Sequence, residues 1–103
     1  MKTTDKLALM KEFKDLEFAK TNIGNIAAAL MFENNYGISV VMGPYTKGGL
    51  LGKYEIAILK MPPGKEFSVI TYDTPLANDV IGHLSKDEVD EYIAKIQELP
   101  TIE

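Results

Sequence analysis

The sequence predicts a single α+β domain over residues 1–103: an N-terminal helix, a four-stranded, mostly antiparallel meander sheet, and a C-terminal helix packed on one face. Three observations lead there. A chain of 103 residues with 46% hydrophobic content matches one domain with one core. Apolar residues recur at helical spacing near both ends. Between residues 26 and 72 the pattern breaks into short runs rich in β-formers, separated by Asn, Gly and Pro.

The first predicted element is a helix over residues 4–20. Leu9, Phe13, Leu16 and Ala19 lie at helical spacing, widened by Leu7, Ala8 and Met10, with Lys11, Glu12, Lys14 and Asp15 on the opposite side. Thr4 suits the cap and Asp5 the positive helix end, while Asn22, Gly24 and Asn25 terminate the segment. Next, Ile26 to Glu33 and Ile38 to Met42 flank Asn34-Asn35-Tyr36-Gly37, which reads as a β-hairpin because Asn and Gly tolerate positive φ. Ala27, Ala28 and Ala29 favour helix, which leaves the firm part of that first strand beginning near Leu30. Lys53 to Lys60 alternates as a third strand, with Tyr54, Ile56 and Ile58 on one face. Pro62-Pro63-Gly64 turns the chain, and Phe67 to Tyr72 returns antiparallel as the fourth. Asp79 to Gly82 reads as a turn or short helical step. Over residues 85–99, Ser85 and Glu88 form a capping box, Leu84 and Val89 a hydrophobic staple, and Val89, Tyr92, Ile93, Ile96 and Leu99 the apolar stripe that Pro100 ends.

Composition excludes several functional classes. The chain has no cysteine, so disulfides and thiolate metal sites are ruled out, and a reducing cytoplasm is the expected compartment. The longest apolar run, Ile26 to Phe32, is too short for a membrane-crossing helix, and the N-terminal residues lack the pattern of a signal peptide. Membrane insertion and export are therefore not expected. The net charge of −4 divides into +2 over residues 1–60 and −6 over residues 61–103. Every basic residue is Lys, and without Arg the chain lacks the side chain best suited to paired hydrogen bonds with phosphate or guanine. Direct nucleic-acid binding is accordingly not expected.

Five features carry candidate chemistry. The segment Gly43 to Gly52 contains Lys47, Gly48 and Gly49, yet a strand follows it where a phosphate loop requires a helix, so a strand-connecting loop is the better reading. The same loop carries Tyr45, Leu50 and Leu51, apolar residues on a connecting segment that suit a contact surface. Asp73 and Asp79 could meet for acid–base work, but Asp73-Thr74-Pro75 and Asn78-Asp79 are ordinary turn and cap sequences. His83 is the only histidine, and no nucleophile is spaced to partner it. The acidic face of the last helix, with Asp87, Asp90 and Glu91, fits the helix dipole as well as a basic partner. No metal or cofactor site is expected.

From residue 30 to residue 98 the chain also carries an ordered set of short motifs. These are Phe32-Glu33-Asn34-Asn35-Tyr36-Gly37-Ile38-Ser39-Val40-Val41, Gly43-Pro44-Tyr45-Thr46, Gly48-Gly49, Tyr54 to Leu59, Tyr72-Asp73-Thr74-Pro75, and Asp79-Val80-Ile81-Gly82 with Glu88-Val89. The set resembles small uncharacterised accessory proteins of tailed bacteriophages. Asn35 stands where such proteins usually have glycine, and Lys47 and Lys53 where Tyr and Leu are more frequent. The resemblance implies production inside an infected bacterium and the binding of a host protein, such as a defence or nucleic-acid enzyme; it implies no catalytic residue.

The leading expectation is a non-enzymatic, stoichiometric binder of a host bacterial protein. Its contact residues are Tyr45, Lys47, Leu50 and Leu51, joined by Asp87, Asp90 and Glu91. The alternative is a small-molecule or signalling-nucleotide binder using Lys47, Lys53 and Asp73. An enzyme built on His83, Asp73 and Asp79 is the third option, and pairing of two copies through a sheet edge is a further expectation for assembly.

Overall fold

A computed structural model describes residues 10–102. The elements in chain order are β1 (Ala19–Lys20), β2 (Ile26–Met31), β3 (Tyr36–Met42), β4 (Tyr54–Lys60), β5 (Val69–Ile70), β6 (Ile81–Leu84) and α1 (Lys86–Gln97). All strand pairs are antiparallel. The strands run in the order β1-β2-β3-β4-β5, and β6 pairs with β4 beside β5. Register sets Ala28 opposite Val40 and Val40 opposite Ile56, and likewise Leu30, Ile38 and Ile58. These residues share the face on which α1 lies. There Ile38, Val40, Ile56 and Ile58 meet Val89, Ile93 and Ile96 in the core. Each of these large side chains stabilises the fold by about 1.5–3 kcal/mol through removal from water.

The α+β class stands, but the predicted architecture requires three corrections. The first concerns the N-terminal helix. Its residues 4–9 lie outside the described residues. Over residues 10–20 the chain forms only a 3-10 turn at Phe13–Asp15, then an extended stretch ending in β1. The reason is tertiary. Phe13 meets Tyr54 edge-to-face and Phe18 lies tilted against it, with ring centroids 5.4 Å and 5.9 Å from the tyrosine ring. The Phe13 amide donates to Asp90 Oδ1 at 2.8 Å, and Lys11 exchanges hydrogen bonds with the Gln97 side chain. Residues i and i+3 eclipse in a 3-10 turn, so one turn suffices to aim both Phe13 and Leu16 inward.

The second correction is the strand count: the sheet has six strands where four were expected. β1 continues the chain across a turn from β2, and β6 occupies part of the segment read as a turn or helical step. The third is the extent of strands. Alanine propensity is overridden, since β2 begins at Ile26 with Ala27, Ala28 and Ala29 all paired to β3. The fourth expected strand contracts to Val69–Ile70.

Polar side chains fix both ends of α1. Asn34, in the β2–β3 turn, is only 7% exposed. Its Nδ2 donates to the carbonyls of Ile96 at 2.8 Å and Leu99 at 3.0 Å, while its Oδ1 accepts from the Tyr36 amide at 3.1 Å. It therefore closes the hairpin and ties it to two carbonyls at and just beyond the C-terminal end of α1. At the other end Ser85 caps α1. Its hydroxyl accepts from the Glu88 amide at 3.2 Å, and Glu88 Oε1 accepts from the Ser85 amide at 2.9 Å. No helix among the described residues is long and apolar enough to cross a membrane.

Candidate functional site

β3 and β4 are joined by residues 43–53, and this loop is fastened at several points. The Thr46 hydroxyl accepts from the Gly43 amide at 3.1 Å and the Thr46 amide donates to the Gly43 carbonyl at 3.2 Å, which closes the first turn. A 3-10 turn follows at Gly49–Leu51, where the Gly48 carbonyl accepts from the amides of Leu51 and Lys53, both at 3.0 Å. Gly48 has φ 89°, and a Cβ added there would lie 2.8 Å from the His83 Cα, so both conformation and space require glycine. The Lys47 amide donates to Glu55 Oε1 at 2.8 Å, and the Lys47 carbonyl accepts from the His83 amide at 3.1 Å. The loop is thus laid against β6.

A second loop meets it. In the β1–β2 turn the Asn25 amide donates to the Thr21 hydroxyl at 3.2 Å and the Thr21 amide to the Asn25 carbonyl at 2.8 Å. The Asn25 side chain is buried, and its Oδ1 accepts a long bond from the Tyr45 amide at 3.4 Å. The two loops therefore form one end of the sheet. On it stand Leu50 at 82% exposure, Tyr45 at 74%, Leu51 at 73% and Ile23 at 60%. A shallow concavity of about 470 Å³ opens between Asn22, Ile23 and Tyr45. Large apolar side chains held in water by a hydrogen-bonded backbone form a surface suited to burial against a partner.

The helix start lies at this same end, because Leu84 pairs with Tyr54 and Ser85 follows directly. Glu88 titrates below the ordinary glutamate range. The Ser85 amide is the main cause, the Ser85 hydroxyl the next, and the positive charge of Lys53 a lesser one. Of the acidic residues expected at a contact, Asp87 and Glu91 are exposed. Asp90 instead holds the Phe13 amide through Oδ1. Lys47 is engaged through its backbone, and its side chain is exposed above Gly82.

The other constellations separate. β6 pairs with β4 at Tyr54 and Ile56, whereas β5 pairs at Leu59 and Lys60. His83 and Lys53 therefore belong to one end of β4, and Asp73, which follows β5, to the other. Lys47, Lys53 and Asp73 are not brought together. Asp79 accepts from the neighbouring Val80 amide at 2.7 Å, but it caps no helix, because the chain continues into β6 where a helical step was expected. His83 has φ 59° and sits where Gly82 and His83 of β6 oppose the single β4 residue Glu55, a β-bulge whose left-handed position is normally glycine. Among the described residues no group of three or more His, Asp or Glu side chains is placed to hold a metal ion.

Sequence reading identified Tyr45, Leu50 and Leu51 but missed Ile23. The available signal was an isoleucine isolated between Asn22 and Gly24 in a turn sequence. Comparison of the chain with protein-family models, curated proteins and solved structures finds no match.

Proposed function

We propose that this chain is a stoichiometric binding protein that docks a partner protein on the apolar end of its sheet. The carrying observation is that Ile23, Tyr45, Leu50 and Leu51 stand on two adjoining loops at one end of the sheet, each at least 60% exposed on backbone fixed by internal hydrogen bonds. Ordered loops lower the conformational entropy lost on association, so apolar burial is converted more fully into affinity. Burying the two leucines alone supplies about 3–6 kcal/mol, equivalent to at least a hundredfold in affinity. Tyr45 adds an aromatic anchor of the kind that dominates binding hot spots. The exposed Lys47, Asp87 and Glu91 provide charges that orient the partner rather than drive binding.

The motif resemblance to bacteriophage accessory proteins supports a host bacterial protein as that partner and the bacterial cytoplasm as the setting. The test is capture from bacterial lysate by immobilised wild-type chain and by the Leu50→Ser/Leu51→Ser double variant. Both leucines are exposed, so the variant is expected to keep its melting temperature within a few degrees and to lose the captured protein. Unchanged capture by a folded variant refutes this assignment.

A further inference from the structure

At the end of the sheet opposite the apolar loops, a cavity of about 260 Å³ opens between β4, the start of the β4–β5 connection and the C-terminal tail. Pro62, Pro63 and Ile102 supply apolar walls, and Tyr36, Lys60, Thr71 and Asp73 the polar ones. The cavity is built by pairing. Tyr36 and Lys60 are direct cross-strand partners, so both side chains leave the sheet on the helix-bearing face. The Thr71 amide donates to the Ile58 carbonyl at 2.9 Å, which holds the buried Thr71 beside them, and the Asp73 amide donates to the Thr71 hydroxyl at 3.3 Å. The tail closes the remaining side: the Ile102 amide donates to the Asn34 carbonyl at 3.0 Å, and Asn35 Nδ2 to the Ile102 carbonyl at 2.8 Å.

Lys60 and Asp73 share this small space without touching. The single ion pair within 4.0 Å among the described residues joins Lys14 and Glu12. An ammonium and a carboxylate on separate walls of one cavity set a demand on any occupant. Asp73 is exposed and Lys60 half-buried, so both charges are accessible to an occupant, and a ligand with one charge would pair with one wall only. A ligand with both charges satisfies both. The volume falls below the roughly 300–1,000 Å³ of sites for drug-sized molecules, so the occupant is small.

From these observations we infer that the cavity binds a small zwitterion of the free α-amino-acid type. Its carboxylate meets Lys60 and the Tyr36 hydroxyl, its ammonium meets Asp73, and its aliphatic part lies against Pro62, Pro63 and Ile102. The site is independent of the apolar loops, so a partner protein and this ligand can be held at once.

The test is a nitrogen-edited NMR titration of the full chain with pooled free L-amino acids at millimolar concentration. Parallel titrations use the same amino acids blocked as N-acetyl derivatives and as amides. The expected result is saturable shifts of the Tyr36, Lys60, Thr71 and Asp73 amides with free amino acids, weakened roughly tenfold to a hundredfold by blocking either end. Lys60→Gln and Asp73→Asn are expected to weaken binding of the free amino acids by a similar factor. Blocked and free forms binding alike, or no saturable shift at these amides, overturns the inference. Because that comparison uses the unaltered chain, it holds even if a variant fails to fold.

Discussion

Replacing Asn34 by alanine should be among the most damaging single changes outside the apolar core. Its side chain makes three hydrogen bonds, to the carbonyls of Ile96 and Leu99 and from the Tyr36 amide, at 2.8, 3.0 and 3.1 Å. A typical hydrogen bond contributes about 0.5–1.5 kcal/mol net, and each buried partner left unpaired costs about 1–3 kcal/mol. The Leu99 bond is partly accessible to water, which can take over that carbonyl. The expected loss for Asn34→Ala is therefore about 2–4 kcal/mol rather than the sum of the full penalties. For a domain near 100 residues this lowers the melting temperature by roughly 10–30 °C. Asn34→Asp keeps the shape but replaces two donors with a carboxylate facing two carbonyl oxygens, so at neutral pH it should cost at least as much. Chemical denaturation monitored by circular dichroism measures both. A loss below about 1 kcal/mol in both variants would refute the role of Asn34 as the tie between hairpin and helix.

Three further outcomes follow from the same physical reasoning. His83→Gly should stabilise the fold by about 0.5–1 kcal/mol, because a left-handed backbone costs a side chain more than the added unfolded-state freedom costs glycine; equal or lower stability in urea contradicts the bulge assignment. Glu88 is held below its ordinary value of about 4.3, so its contribution is complete above that pH and is lost as pH falls through the lower native value. Glu88→Gln keeps an acceptor for the Ser85 amide but removes the titration, so the gap in melting temperature between it and wild type should narrow between pH 7 and pH 3; a constant gap argues against the capping interaction. Gly48→Ala should be poorly tolerated, with a loss of about 1–3 kcal/mol from positive φ and the approach to His83, and a wild-type melting curve would show that the loop is not seated on β6.

The elements legible in the sequence are those whose determinants are local. Ser85 and Glu88 lie three residues apart and need only each other, so the start of α1 follows from spacing. The alternation of Tyr54, Ile56 and Ile58 likewise marks β4 and its buried face. The N-terminal segment misleads because the same Phe13 and Leu16 spacing serves a long amphipathic helix or a single turn, and the choice is made by Tyr54, about forty residues away. β6 is hidden because Ile81-Gly82-His83-Leu84 is short and its bulge interrupts the two-residue period. The apolar end of the sheet is half legible: glycines around Tyr45, Leu50 and Leu51 mark an exposed loop, but only the folded chain brings Ile23 beside Tyr45. Lys60 and Asp73 read separately as a strand end and a turn, and the pairing of β4 with β5 is what places them around one cavity.

The docking role of the apolar loops is tested most directly by site-specific photo-crosslinking in bacterial cells producing the protein. One probe replaces Tyr45 at the loop end and a control replaces the exposed Ala94 on α1. The account predicts a discrete crosslinked product from position 45, absent from position 94 and abolished by Leu50→Ser/Leu51→Ser. Equal products from both positions, or a product at position 45 that survives the double replacement, would contradict it.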